Sequence, residues 1–145
     1  MKDNTAVKAL ANDLVEVMWK FGPQGLDKQC CDNLSMAEYR AMTIISEIRS
    51  CSVQDVAKHL GFTKSGATRI ANRLEKKQFI TKERWEQDNR ICCLTPTSEG
   101  QAALKNASAI FTSSLQTVLK AMPEEHRANL AESLNVMAKA IKVVG

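Results

Sequence analysis

The sequence predicts a mainly α-helical protein with one small β-hairpin, and three observations predict it. Apolar residues recur at intervals of three and four along most of the 145 residues, the period of amphipathic helices. From Ile80 the pattern turns to β-branched, alternating residues, broken by the turn-forming run Gln87-Asp88-Asn89. Just ahead of this hairpin, two short helical patterns are separated only by a Gly-containing turn, as in a helix-turn-helix. The expected architecture is a winged helix-turn-helix lobe over residues 34–96, with N- and C-terminal helices contributed by residues 1–33 and 97–145, in one domain spanning 1–145.

Each element has its own signal. Val7, Leu10, Ala11, Leu14, Val17, Met18 and Phe21 form one face of a first helix from Asn4, which Gly22, Pro23 and Gly25 end. Gly22 to Asn33 reads as a loop. Ser35 with Glu38 three residues on is a capping box for a second helix, whose inner face is Ala37, Ala41, Ile44, Ile45 and Ile48 and which ends near Arg49. Ser52 caps a third, with Val53, Val56, Ala57 and Leu60 inward, and Gly61 stands where a left-handed C-terminal residue belongs. Thr63 begins a fourth at once, with Ala67, Ile70, Ala71 and Leu74 on one face, running to about Lys77. Strands follow over Ile80 to Glu86 and Ile91 to Leu94. Pro96 and Gly100 flank the start of a long helix bearing Ala103, Leu104, Ala107, Ile110, Phe111, Leu115, Val118 and Leu119, and Pro123 starts the last one, lined by Leu130, Leu134, Met137, Ala138 and Ile141.

Composition narrows the function. Hydrophobic residues make up 44% and charged residues 25%, close to globular averages, so the chain is neither disordered nor fibrous. No apolar run reaches the roughly 18 residues of a membrane span and no signal peptide pattern precedes the first helix, so a cytoplasmic protein with no membrane partner is expected. The net charge of +4 is concentrated: nine basic and four acidic residues lie between Lys58 and Arg90, leaving the remainder slightly acidic. That localisation points to an anionic partner at the helix-turn-helix. With no nucleophile-and-base pair, phosphate-cradling glycine loop or metal triad at a testable spacing, the chain is not expected to be an enzyme. His59 and His126 lack a second His at ligand spacing and read as surface or capping residues.

At 100° per residue, burying Ala67, Ile70, Ala71 and Leu74 turns Ser65, Arg69, Asn72 and Lys76 to the opposite side of the fourth helix, flanked by Thr68 and Arg73. Arg takes guanine O6 and N7, Asn takes adenine, and Ser or Thr reaches a base or a phosphate. The competing reading is a basic but inert face. Arg84 and Arg90 sit on opposite strands of the hairpin with Asp88 between them, suited to a narrow minor groove with the carboxylate holding a guanidinium. Together with Ser52, Thr63 and Lys64 at the two helix starts, these are the candidate DNA contacts.

In element order, and in Phe62-Thr63-Lys64-Ser65, Thr68-Arg69, Leu74-Glu75, Asp88-Asn89-Arg90 and Gly100, the chain resembles the multiple antibiotic resistance regulator (MarR) family over nearly its whole length. The resemblance implies a cytoplasmic homodimer, usually a repressor, that binds pseudopalindromic promoter DNA and responds to a small molecule, metal or oxidant. It also implies that Ser65, Thr68, Arg69 and Arg73 read the major groove, and Arg90, braced by Asp88, the minor groove. The first and the last two helices carry more apolar surface than a small lobe can cover, which suits a dimer interface. Two departures stand out: Gly66 replaces the usual Ser or Thr, and either Leu94-Thr95 or Thr97 matches the end of the family's wing.

Five cysteines, an odd number, read as thiols and not as a disulfide framework. If the residues before the third helix pair with the wing, Cys51 lies near Cys92-Cys93, of which only one can share its face. With Cys30 and Cys31 in the loop, these are candidate sensor thiols for an oxidant, a soft metal or an iron–sulfur cluster. The alternative is that Cys51 and one wing cysteine are small buried hydrophobes. Besides an effector-switched regulator, a winged-helix protein-interaction module and an effector-independent DNA binder also fit the pattern.

Overall fold

The computed structural model describes residues 3–22, 34–84 and 90–145, and for Ile91 and Cys92 the backbone alone. The elements are α1 (Asn4–Phe21), α2 (Met36–Glu47), α3 (Val53–Leu60), α4 (Lys64–Lys76), β1 (Ile80–Arg84), β2 (Ile91–Pro96), α5 (Ser98–Ala121) and α6 (Glu124–Val144). This is the mainly helical architecture with one two-stranded antiparallel sheet that the sequence predicts. The expected loop 23–33, with Cys30 and Cys31, and the hairpin turn with Asp88 lie outside the described residues.

The chain forms two compact units, Met1–Phe111 and Thr112–Gly145. In the first, the core is built around Leu34, Met42, Ile45, Val56, Ile70, Leu74, Ile80 and Leu94, closed by Ala103 and Ala107 of α5. All four residues assigned to the inner face of α4 are buried. Phe21 of α1 meets Phe111 of α5 with ring centroids 5.5 Å apart and planes at 59°, a tilted aromatic contact. In the second unit, the Arg127 guanidinium donates to Met122 O at 2.9 Å and Lys120 O at 3.3 Å, which satisfies carbonyls that the end of α5 leaves without helical partners.

Local chemistry fixes the helix boundaries. The Ser35 hydroxyl accepts from Glu38 N, and Ser52 accepts from Asp55 N while its own N–H reaches Asp55 Oδ2 at 2.9 Å. Both are capping boxes. At the end of α3, Gly61 takes φ +70 and Phe62 N donates back to Ala57 O, so the chain reverses within three residues and Thr63 caps α4 through Gly66 N. Asp55 is held below the usual carboxylate range, first by the Ser52 N–H and then by the Ser52 hydroxyl.

The hairpin register pairs Ile80 with Pro96, Thr81 with Thr95, Lys82 with Leu94 and Glu83 with Cys93, then slips so that Arg84 faces Ile91. Cys92 is therefore the extra residue of a bulge. β2 runs two residues past the expected Leu94, and Thr97 takes the turn into α5: it donates from N to Phe79 O and from Oγ1 to Gln78 O, and accepts from Gly100 N. Gly100 is required there by close approach. A Cβ at this position would stand 2.0 Å from Phe79 O and 3.0 Å from Met42 Cε.

Candidate nucleic-acid interface

The surface of α4 divides sharply. Ala67, Ile70, Ala71 and Leu74 are buried, while Lys64, Ser65, Arg69, Asn72, Arg73 and Lys76 are exposed. Burial of the first set against α2, α3 and β1 is what fixes the direction of the second. Arg73 and Lys76 also lie in the last turn, where the helix dipole favours cations.

The hydroxyls are partly committed. Thr63 Oγ1 accepts from Gly66 N at 3.1 Å and lies 3.2 Å from Ser65 Oγ, and Thr68 Oγ1 donates to Lys64 O at 2.8 Å. Ser52 is engaged in the cap of α3. Each keeps capacity for a further hydrogen bond, because a hydroxyl is one donor with two acceptor lone pairs. Arg84 ends β1 and Arg90 stands just before β2, both exposed.

Two lysines are tied to the protein itself. Lys77 Nζ lies 2.5 Å from Oε2 of Glu38, a buried carboxylate that also serves the α2 capping box. Lys82, only 12% exposed, donates to Asn72 Oδ1 and sits 3.4 Å from Glu75 Oε1. Sequence spacing carries no sign of either pair, since each joins residues on different elements.

The thiols are placed as follows. Leu94 N donates to Cys51 O at 2.7 Å, and this bridge makes Cys51 the partner of Leu94. Side chains alternate along a strand, so Cys93 projects from the other face, where its Sγ donates to Glu83 Oε2 at 3.3 Å. Burial first, and the nearby Asp55 carboxylate second, push the Cys51 thiol from 9.0 up to about 11. Cys51 and Cys93 are both buried thiols. No group of three His, Cys, Asp or Glu positioned to hold a metal is found among the described residues.

The first unit also contains two clefts. One, of about 390 Å³, lies between Tyr39, Thr43 and Ser46 of α2 and Gln101, Leu104 and Lys105 of α5. The other, of about 400 Å³, lies where the end of α2 meets the hairpin and includes Arg49, Ser50, Glu83, Cys93 and Thr95. Among the described residues no helix is long and apolar enough to cross a membrane.

The model of the MarR family matches residues 34–92. The uncharacterized HTH-type transcriptional regulator YfiV of Bacillus subtilis is 21% identical over 110 residues, which span 76% of this chain and 69% of that protein. Streptococcus pneumoniae FabT, solved in complex with DNA, superimposes with a TM-score of 0.74 at 21% identity over 99% of this chain and all of that one. The Streptomyces coelicolor regulator PcaV, solved with its natural ligand, does so with a TM-score of 0.65 at 17% identity over 91% of each chain. With its winged helix-turn-helix in place, the chain shares the fold of these regulators, and its lobe over residues 34–92 is similar to the MarR family.

Proposed function

We propose that this protein is a homodimeric transcription regulator, a repressor that binds a pseudopalindromic promoter site in double-stranded DNA and is released by an effector. The observation that carries the reading is the division of α4, whose whole apolar face is buried while four cations, a serine and an asparagine stand exposed opposite. In this role Arg69 and Arg73 read base edges, Lys64 and Lys76 neutralise phosphate, and the hairpin presents Arg84 and Arg90 to the minor groove. The DNA-bound FabT neighbour shares the fold and supports the role.

A dimer is supported by apolar side chains that the single chain leaves exposed: Leu10, Val17, Met18 and Trp19 of α1, and Leu134, Met137 and Ile141 of α6. A twofold dimer presents two α4 helices to half-sites a whole number of helical turns apart. As effector we propose a small organic molecule in the α2–α5 cleft, by analogy with ligand-bound PcaV. An oxidant or soft metal acting on Cys51, Cys92 and Cys93 is the second reading, favoured by the bridge that brings Cys51 to the wing. It requires a thiolate, which the burial of Cys51 opposes.

The test is a fluorescence titration of duplex DNA from upstream of the protein's own coding region against a random duplex, at several salt concentrations. Nanomolar binding with a specificity ratio of about 10³ or more is expected. Arg69→Ala should lower that ratio by about 1 to 3 kcal/mol, whereas Lys76→Ala should weaken both duplexes alike and flatten the salt slope by about one. Equal loss on both duplexes for Arg69→Ala would remove its assigned role.

A further inference from the structure

We infer that Asn72 is a biased reader of the major groove: Lys82 takes one lone pair of its carbonyl oxygen and sets a cationic donor beside the other, so it meets a base chiefly through its Nδ2 hydrogens and selects keto bases, guanine or thymine, over amino bases. The inference rests on α4 being the DNA-reading helix.

The orientation of the amide is fixed by chemistry. An ammonium has three donors and no acceptor, so the atom of Asn72 that Lys82 Nζ touches is Oδ1 and not Nδ2. Lys82 is held in place as well, by the Glu75 carboxylate at 3.4 Å and by burial of its stem against the body of the lobe. Asn72 itself is exposed, on the same side of α4 as Ser65, Arg69 and Lys76.

An unencumbered asparagine reads adenine with both ends of its amide, Oδ1 accepting from N6 and Nδ2 donating to N7. Here N6 would have to approach an oxygen beside the ammonium already bonded to it, donor against donor. Guanine offers two acceptors, O6 and N7, and thymine offers O4, so either one matches the Nδ2 hydrogens. Cytosine presents only its N4 amino donor. Polarisation of Oδ1 by the ammonium also strengthens Nδ2 as a donor.

The experiment is selection from a randomised duplex library with the full-length protein, comparing wild type, Arg69→Ala, Asn72→Ala, Lys82→Met and Lys82→Arg. The position under Asn72 is the one whose base preference flattens in Asn72→Ala. There the wild type should favour guanine or thymine over adenine and cytosine by about tenfold. Lys82→Met, which frees Oδ1, should bring adenine up to parity or better, and Lys82→Arg, which keeps a donor on Oδ1, should retain the wild-type order. Adenine as the wild-type preference overturns the inference, as does an unchanged base order in a folded Lys82→Met. A motif altered by Arg69→Ala but at no position by Asn72→Ala overturns it while leaving α4 as the reader; a motif altered by neither overturns both. Where Lys82→Met does not fold, the wild-type preference at the Asn72 position decides alone.

Discussion

Native-state alkylation of Cys51 tests whether the bridge to the wing is a reactive centre or a piece of core. Its thiol titrates at about 11 against an ordinary 9.0, so at pH 7.5 the thiolate is about a hundredfold scarcer than in the unfolded chain. The more basic thiolate is intrinsically more nucleophilic, by about tenfold over two units, which leaves a net loss of about tenfold from ionisation. Cys51 has no exposed surface, so reagent must also wait for an opening of the β2 bridge. Once open, the thiol ionises as in the unfolded chain, so an opening cost of about 3 kcal/mol by itself slows labelling about 10²-fold. The assay is iodoacetamide labelling at pH 7.5 with the Cys51 peptide quantified by mass spectrometry, in buffer and in urea. A native rate within tenfold of the unfolded one would refute the reasoning and favour Cys51 as a sensor thiol. The same shift has a stability consequence of known sign. Folding raises this pKa, so its contribution is complete below pH 9, and about 3 kcal/mol is lost as pH rises through 11. Cys51→Ala should lack that alkaline loss in urea titrations.

Gly100→Ala should destabilise the fold by about 3 kcal/mol in urea unfolding, because the added Cβ displaces Phe79 O from its bond to Thr97 N; a change under about 0.5 kcal/mol would show that the turn relaxes freely. Glu38→Ala should cost about 2 kcal/mol, through the lost capping box and the lost partner of Lys77, while Lys77→Met should cost more than the analogous change at exposed Lys76. Asp55 titrates below the usual carboxylate range, so its contribution is present above that range and lost as pH falls through the lowered value. Asp55→Asn should accordingly reduce the acid dependence of stability below about pH 4.

What the sequence discloses follows from the range of the interaction involved. The capping box Ser35/Glu38, the Ser52 cap, the left-handed Gly61 and the four-residue face of α4 all depend on neighbours within one helical turn, and each stands where periodicity and capping rules put it. The end of the wing is a contact between segments: β2 runs to Pro96, and the N–H and hydroxyl of Thr97 both go back to Phe79 and Gln78, residues that no local pattern connects to it. Gly100 carries a similar lesson: its place was legible, but the reason, a carbonyl packed against its Cα, belongs to the fold alone.

The charge cluster shows why counting cations is not the same as finding an interface. Nine basic residues between Lys58 and Arg90 give the sequence its anionic-partner signal, yet two of them face inward on the protein's own groups, Lys77 on Glu38 and Lys82 on Asn72 and Glu75. A lysine spent this way adds little to counterion release, because its ammonium is already compensated before DNA arrives. It acts instead on geometry: Lys77 ties the end of α4 to the start of α2, and Lys82 ties the middle of α4 to the hairpin. The face proposed for recognition is thereby held by the same charge excess that advertises it. On the proposed reading, the exposed lysines and arginines of the helix-turn-helix that meet DNA are Lys58 of α3 and Lys64, Arg69, Arg73 and Lys76 of α4.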